Sequence, residues 1–167
     1  MKLAYADPPY LGCCKLYDHR HEDPWGCWDL WSTHDALIRH LDANFDGWAV
    51  SCSSTSLAEV IQAVPTGTRI ASWVKPFAAF KANVRIAYTW EPVLFVPGRD
   101  SSKDGAQVNR DHLAEPITMQ KGLTGAKPER FCRWILDLLG YVDGDEFTDV
   151  FPGTGVMDRV RAQGVLL

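Results

Sequence analysis

The sequence of 167 residues lacks any apolar run near the ~18 residues that a membrane span needs. It lacks a leader pattern too. Met1-Lys2-Leu3-Ala4-Tyr5-Ala6-Asp7 turns polar too soon for a signal peptide, so a cytoplasmic protein is expected. It lacks an even cysteine count: five cysteines without secretory features argue against a disulfide framework. Cys13, Cys14 and Cys27 lie near His19, His21 and His34, which are metal-ligand residue types. They lack paired CxxC or HxxxH spacings, so no metal is expected. Cys52 and Cys132 sit in apolar stretches and read as small core residues. Internal repeats are absent.

Strong net charge is also missing. The formal value of −4 argues against a protein that coats nucleic acid. The distribution is uneven, however. Residues 69–110 hold seven basic and three acidic side chains, leaving −8 for the rest of the chain. A solvated basic face fits that pattern, and so does a local contact with phosphates.

What is present is an alternation of strand-like and helix-like segments. Residues 3–6 read as a short buried strand that ends in Asp7-Pro8-Pro9-Tyr10. Apolar spacing predicts helices over 29–44, 53–63, 128–139 and 156–162. Strands are predicted at 48–52, 69–74 and 147–151, with an incipient one at 165–167. Residues 87–96 read as a strand pair or one long bent strand, and Pro92 inside it suggests an edge or a bulge. Residues 97–127 show no period and form a segment longer than ordinary loops. This order predicts one α/β domain with a mostly parallel sheet and helices on both faces.

Two stretches carry the chemistry. Two prolines in a row remove two N–H donors and fix φ, so a strand stops at Asp7 and holds its last side chains stiffly. Carboxyl ends of strands are where open α/β sheets place ligands. The second stretch is Asp149-Val150-Phe151-Pro152-Gly153-Thr154-Gly155, a strand end, a glycine-rich turn and a helix start. Glycines there allow close backbone approach to a ligand, or simply a tight strand–helix turn.

Together the two stretches resemble the S-adenosylmethionine-dependent amino-group DNA methyltransferases. Asp7-Pro8-Pro9-Tyr10 resembles the catalytic [DNS]PP[YFW] motif, and 149–155 the cofactor motif DxFxGxG. Lys127-Pro128 before an apolar helix resembles the KP segment that precedes that cofactor motif. Trp90-Glu91-Pro92-Val93-Leu94-Phe95 is similar to the intervening E-x-hydrophobic strand. The catalytic motif comes first, as in the permuted subclass. The resemblance implies a Rossmann-like class I methyltransferase fold, S-adenosylmethionine (SAM) as cofactor, and methyl transfer to the N6 amine of a flipped adenine in DNA.

It also implies roles. Asp7 and the Pro8 carbonyl would accept the amino protons, Pro9 would not compete for them, and Tyr10 would stack on the base. Ala6, Asp7, Lys127, Asp149, Phe151, Gly153, Thr154 and Gly155 would form the cofactor site. Asp149 would receive the cofactor ammonium or order the loop, while Lys127 would touch the cofactor or be a solvated lysine at a helix start. Without a recognition domain, 11–28 and 97–127 would meet DNA. Arg99, Lys103 and Arg110 would contact phosphates. Gln107 and Asn109 suit adenine edges or plain solvation.

In relatives the strand beginning at Val165 continues to a ribose-binding acid, which this sequence does not show. A partner chain at that edge, giving a homodimer, is one expectation. Two other readings stay open: a catalytically weak module that binds nucleic acid or protein, and an RNA adenine methyltransferase. The small size suits a phage or mobile element, which would place the protein in a host cytoplasm.

Overall fold

Side-chain alternation along the first strand sets the layers. β1 (Lys2–Ala6) turns Leu3 and Tyr5 to one face and Ala4 and Ala6 to the other, and all four are buried. A strand buried on both sides needs cover on both. In a computed structural model, which describes residues 1–13, 27–76, 84–99, 108–118 and 126–164, helices supply that cover. α1 (Trp31–Asn44) and the short α2 (Leu57–Val60) pack over Ala4 and Ala6. α3 (Glu129–Leu139) and α4 (Val156–Ala162) pack over Leu3 and Tyr5.

The other strands are β2 (Gly47–Ser51), β3 (Arg69–Val74), β4 (Trp90–Val96), β5 (His112–Ala114) and β6 (Glu146–Asp149). They form a six-stranded sheet in the order β5-β3-β4-β2-β1-β6. β4 alone runs against the rest. This is the mostly parallel α/β sheet that the alternation predicts, with helices on both faces, in the Rossmann-like form that the resemblance implies.

Local chemistry explains most boundaries. α3 buries Phe131, Trp134, Ile135, Leu138 and Leu139 along one stripe and stops at Gly140, whose φ of 68° is left-handed. β2 opens on Gly47, where only glycine fits: a Cβ there would lie 2.3 Å from the Gly98 nitrogen. α2 is shorter than its spacing predicts. Ser53 Oγ accepts from Ser56 N at 3.1 Å. Past Val60 the backbone bonds close over three residues, with Gln62 N to Glu59 O and Ala63 N to Val60 O both at 3.1 Å.

Two expectations need correction. Pro92 lies in a central strand, between β2 and β3, and not at an edge. Cys52 N donates to the Pro92 carbonyl at 3.1 Å, so the absent Pro92 N–H also faces β2, one step past the last register pair, Ser51↔Val93. Only a bond at the end of that ladder is lost. Residues 97–127 are also not devoid of structure, since they contain β5, parallel to β3. The expected strand at 165–167, with the partner edge built on it, lies outside the described residues.

Candidate active site

Parallel pairing brings the two distant motifs side by side. β1 and β6 run in register from Lys2↔Glu146 to Tyr5↔Asp149, and Val150 N donates to Tyr5 O at 2.9 Å. Asp7-Pro8-Pro9-Tyr10 therefore leaves one strand where 149–155 leaves its neighbour. On the other flank, β2 pairs with β1 up to Ala6↔Val50. Ala6 is fully buried beneath this rim.

Asp7 meets a compact ionic cluster there. Lys127 Nζ lies 2.9 Å from Asp7 Oδ1 and 3.1 Å from Glu91 Oε2, and it donates to Tyr10 Oη at 2.9 Å. Three ammonium protons thus face three acceptors. Tyr10 Oη is 3.1 Å from Asp7 Oδ1 and 2.9 Å from Glu91 Oε2. One phenolic proton serves only one of these carboxylates at a time. Lys75 completes the row by pairing with Glu91 Oε1. Aromatic rings wall it: Lys127 lies over Trp73 and Tyr10, each 5.4 Å to the centroid, and Lys75 lies 4.8 Å from the Trp73 centroid.

Burial and charge act differently on each member. Burial raises the Asp7 pKa, and the nearby Glu91 charge adds to this, outweighing the Lys127 ammonium. Burial also opposes the Glu91 carboxylate, but Lys127 and Lys75 together bring its pKa below the ordinary value. Burial works against the Lys127 charge, and Asp7 and Glu91 overcome it, so Lys127 stays protonated. Burial and the two carboxylates push the Tyr10 phenol well up, which keeps it neutral.

Asp149 stands at the end of β6. Burial lifts its pKa to about 6, against one backbone donor, Phe151 N at 3.3 Å, with Asp158 and Asp7 adding to the rise. The turn beyond it requires its glycines, with φ of 47° at Gly153 and 67° at Gly155. Gly155 N donates to Pro152 O at 2.6 Å, and Arg159 donates to the Thr154 carbonyl at 2.8 Å. Phe151 packs edge-on against Trp28 with centroids 5.3 Å apart. His34 is bonded to the Trp28 carbonyl at 2.9 Å. Past Tyr10, an open cleft of about 390 Å³ runs between Leu11, Gly12, Asp29, Trp31, Ser56 and Glu59.

Other sequence candidates fall elsewhere. Arg99 and Arg110 lie at the amino end of the parallel strands, away from Asp7. Arg99 is spent on Asp145 and the Gly140 carbonyl. Arg110 is exposed just before β5 and gives its carbonyl to the Trp134 indole at 2.8 Å. Asn109 reaches the Asp137 carbonyl at 3.3 Å, at the same end. The structure thus places Arg99 and Arg110, which with Lys103 are expected to contact phosphates, at the rim opposite Asp7, because strand direction carries both there. Lys103 and Gln107, like Cys14, His19 and His21, lie outside the described residues. Among the described residues no group of three His, Cys, Asp or Glu side chains is placed to hold a metal, and no helix is long and apolar enough to cross a membrane.

Sequence reasoning assigned no role in the site to Glu91 or Lys75. Their signal was a charge inside an apolar strand, Trp90–Val96, and another just past Val74. Register then sets Trp73 opposite Glu91. Lys127 is expected at the cofactor or as a solvated lysine at a helix start, and the structure commits its ammonium to two carboxylates and a phenol.

No protein-family model and no curated protein sequence matches the chain. Solved structures do resemble it. The crystal structure of an M1.HpyAVI–SAM complex superposes with a TM-score of 0.61 at 14% identity, covering 97% of this chain and 78% of that one. A crystal structure of M1.HpyAVI gives 0.57 at 13% identity, covering 96% and 75%. The α/β architecture is thus shared with these proteins over nearly the whole length of this one.

Proposed function

We propose that the protein transfers a methyl group from SAM to the exocyclic N6 of adenine in DNA, through a single domain that binds both. The observation that carries this reading is the Tyr5↔Asp149 register, which sets the Asp-Pro-Pro-Tyr turn against the glycine-rich turn at one rim. The fold likeness to M1.HpyAVI, solved with SAM, supports it.

The residues at the rim fit such a cofactor. Asp149 is a half-buried carboxylate with one backbone donor, its pKa raised by desolvation and by two other acids, and a cationic ammonium would relieve that imbalance. The exposed Gly153, the turn before Gly155 and Phe151 would frame the rest of the methionine moiety. Bound SAM would supply an electrophilic methyl on a sulfonium.

The chain's own residues would do the rest. The adenine amine is a weak nucleophile because its lone pair is delocalised into the ring. Asp7 and the Pro8 carbonyl would accept its two protons, orient the lone pair and stabilise the charge that grows on nitrogen. Pro9 has no N–H to divert those acceptors. The Tyr10 ring, with Lys127 over it, would offer a flat surface to an unstacked base. The methylated nitrogen would shed one proton through Asp7 to solvent.

Incubation with methyl-labelled SAM and duplex DNA, single-stranded DNA or RNA tests the reading. Label in N6-methyladenine of DNA is expected, and Asp7→Ala should remove it while SAM still binds. Label confined to RNA would move the substrate to RNA. Absence of label with every acceptor, together with no calorimetric SAM binding, would favour a binding module.

A further inference from the structure

We propose that Glu91 is the positioning residue of this site, holding the Lys127 ammonium and the Tyr10 hydroxyl so that Asp7 turns its second oxygen to the acceptor nitrogen. The inference rests on the methyl-transfer reading above and names what prepares its catalytic carboxylate.

Four charges form an alternating row, Lys75–Glu91–Lys127–Asp7, drawn from β4 and from segments next to β3, α3 and β1. Glu91 sits between two cations, whereas Asp7 ends the row with one. Glu91 also takes the Tyr10 hydroxyl, at 2.9 Å against 3.1 Å for Asp7. Asp7 Oδ1 is thus engaged by Lys127, and among the described residues no hydrogen bond reaches Oδ2. The Asp7 side chain keeps 22% exposure, so Oδ2 would be the oxygen offered to an incoming amine.

This arrangement gives each charge a separate task. Without Glu91, Lys127 would swing fully onto Asp7 and compete with the amine for it. Tyr10 would lose its better acceptor and with it the fixed tilt of its ring. Lys75 holds Glu91 from behind, against Trp73. The other groups facing Asp7 are Tyr5 on β1, Cys132 on α3 and Asp149 on β6. The first two are kept neutral by burial, and the third adds negative charge. Burial has the largest effect on Asp7, and among the charges around it Lys127 and Glu91 act most strongly, with opposite signs.

The test is the pH dependence of kcat for methyl transfer to DNA in wild type, Glu91→Gln, Glu91→Asp and Lys75→Gln, each checked for folding by circular dichroism. Wild-type transfer comes first; its absence would overturn the methyl-transfer reading and this inference with it. Given wild-type activity, Glu91→Gln should lower kcat on the order of tenfold, the scale of a lost charge-assisted hydrogen bond. Its acid limb should move to lower pH by about one unit, since a carboxylate that raises Asp7 has gone. Lys75→Gln should move the limb the other way by less. Glu91→Asp should recover part of kcat and the wild-type limb. KM for SAM should change little in all three. A folded Glu91→Gln with a wild-type acid limb, or with full kcat, would overturn the proposal. Should that variant not fold, Lys75→Gln decides: a limb unmoved or moved to lower pH counts against it.

Discussion

The two rims of the sheet each hold an aspartate in an ionic cluster, and the two behave oppositely. At the amino rim, Asp145 accepts from the Met1 ammonium at 2.7 Å, from two Arg99 nitrogens, and from Val142 N at 3.0 Å. The Arg99 hydrogen bonds dominate, outweigh burial, and hold its pKa well below the usual carboxylate range. At the carboxyl rim, Asp7 has one ammonium, shared with Glu91, and a phenol proton that Glu91 also claims. There burial wins and the pKa rises. An acid surrounded by donors is a clamp; one left short of them keeps capacity for a ligand.

Breaking the contrast at its functional side should give the largest effect. Asp7→Asn is expected to cut methyl transfer roughly 10²–10³-fold, the scale of one lost preorganised electrostatic contact. Its folded-state pKa is raised, so ionised Asp7 opposes folding above the ordinary carboxylate pKa. The variant should therefore unfold at the wild-type temperature or higher at pH 7, and any gain should vanish near pH 3. A clear fall in melting temperature at pH 7 would contradict the contrast.

The reverse pattern is expected at the other rim. Asp145→Asn should cost about 1.5–3 kcal/mol of stability, with transfer per folded molecule unchanged. A depressed pKa contributes stability that is full above about pH 4 and lost as pH falls further. Chemical denaturation at pH 7 and pH 3 should show the penalty shrinking in acid. Equal penalties at both pH values would refute the assignment.

A sharper comparison is available within the carboxyl rim. Asp149 has a raised pKa of about 6, so its ionisation opposes folding progressively as pH rises to that value. Asp149→Asn should gain about 1–3 kcal/mol at neutral pH and weaken SAM binding. Calorimetry of the wild type near pH 5.5 in buffers of different ionisation enthalpy should show proton release on SAM binding. Release equal in Asp149→Asn would assign the proton elsewhere. The smallest effect is expected at Arg110: Arg110→Ala should leave DNA affinity and its salt dependence close to wild type. A marked drop would make the amino rim a DNA surface.

Much of the fold was legible because its signals are local. Residues 69–74 and 156–162 are bounded as the sequence pattern predicts, by Lys75-Pro76 and by Gly155. The three residues of β5 are too few for any period to show. α2 loses its last turn to tighter bonds that apolar spacing does not encode. The rim motif was legible because Asp7-Pro8-Pro9-Tyr10 is contiguous. The cluster around it was not, since Lys75, Glu91 and Lys127 come from separate segments that meet only through β3–β4 register and the docking of α3. The rim on which Arg99 and Arg110 fall was not legible, because charge density along a chain says nothing of which end of a strand it follows.

The β1–β6 pairing also bears on how the molecule is made. β1 finds β2 across some forty positions, a contact available early as the polypeptide emerges from the ribosome. Its second neighbour is more than 140 positions away, and closing so long a loop is slow. The rim that holds both motifs thus assembles late in folding, and until then one edge of β1 stays open to any stray strand.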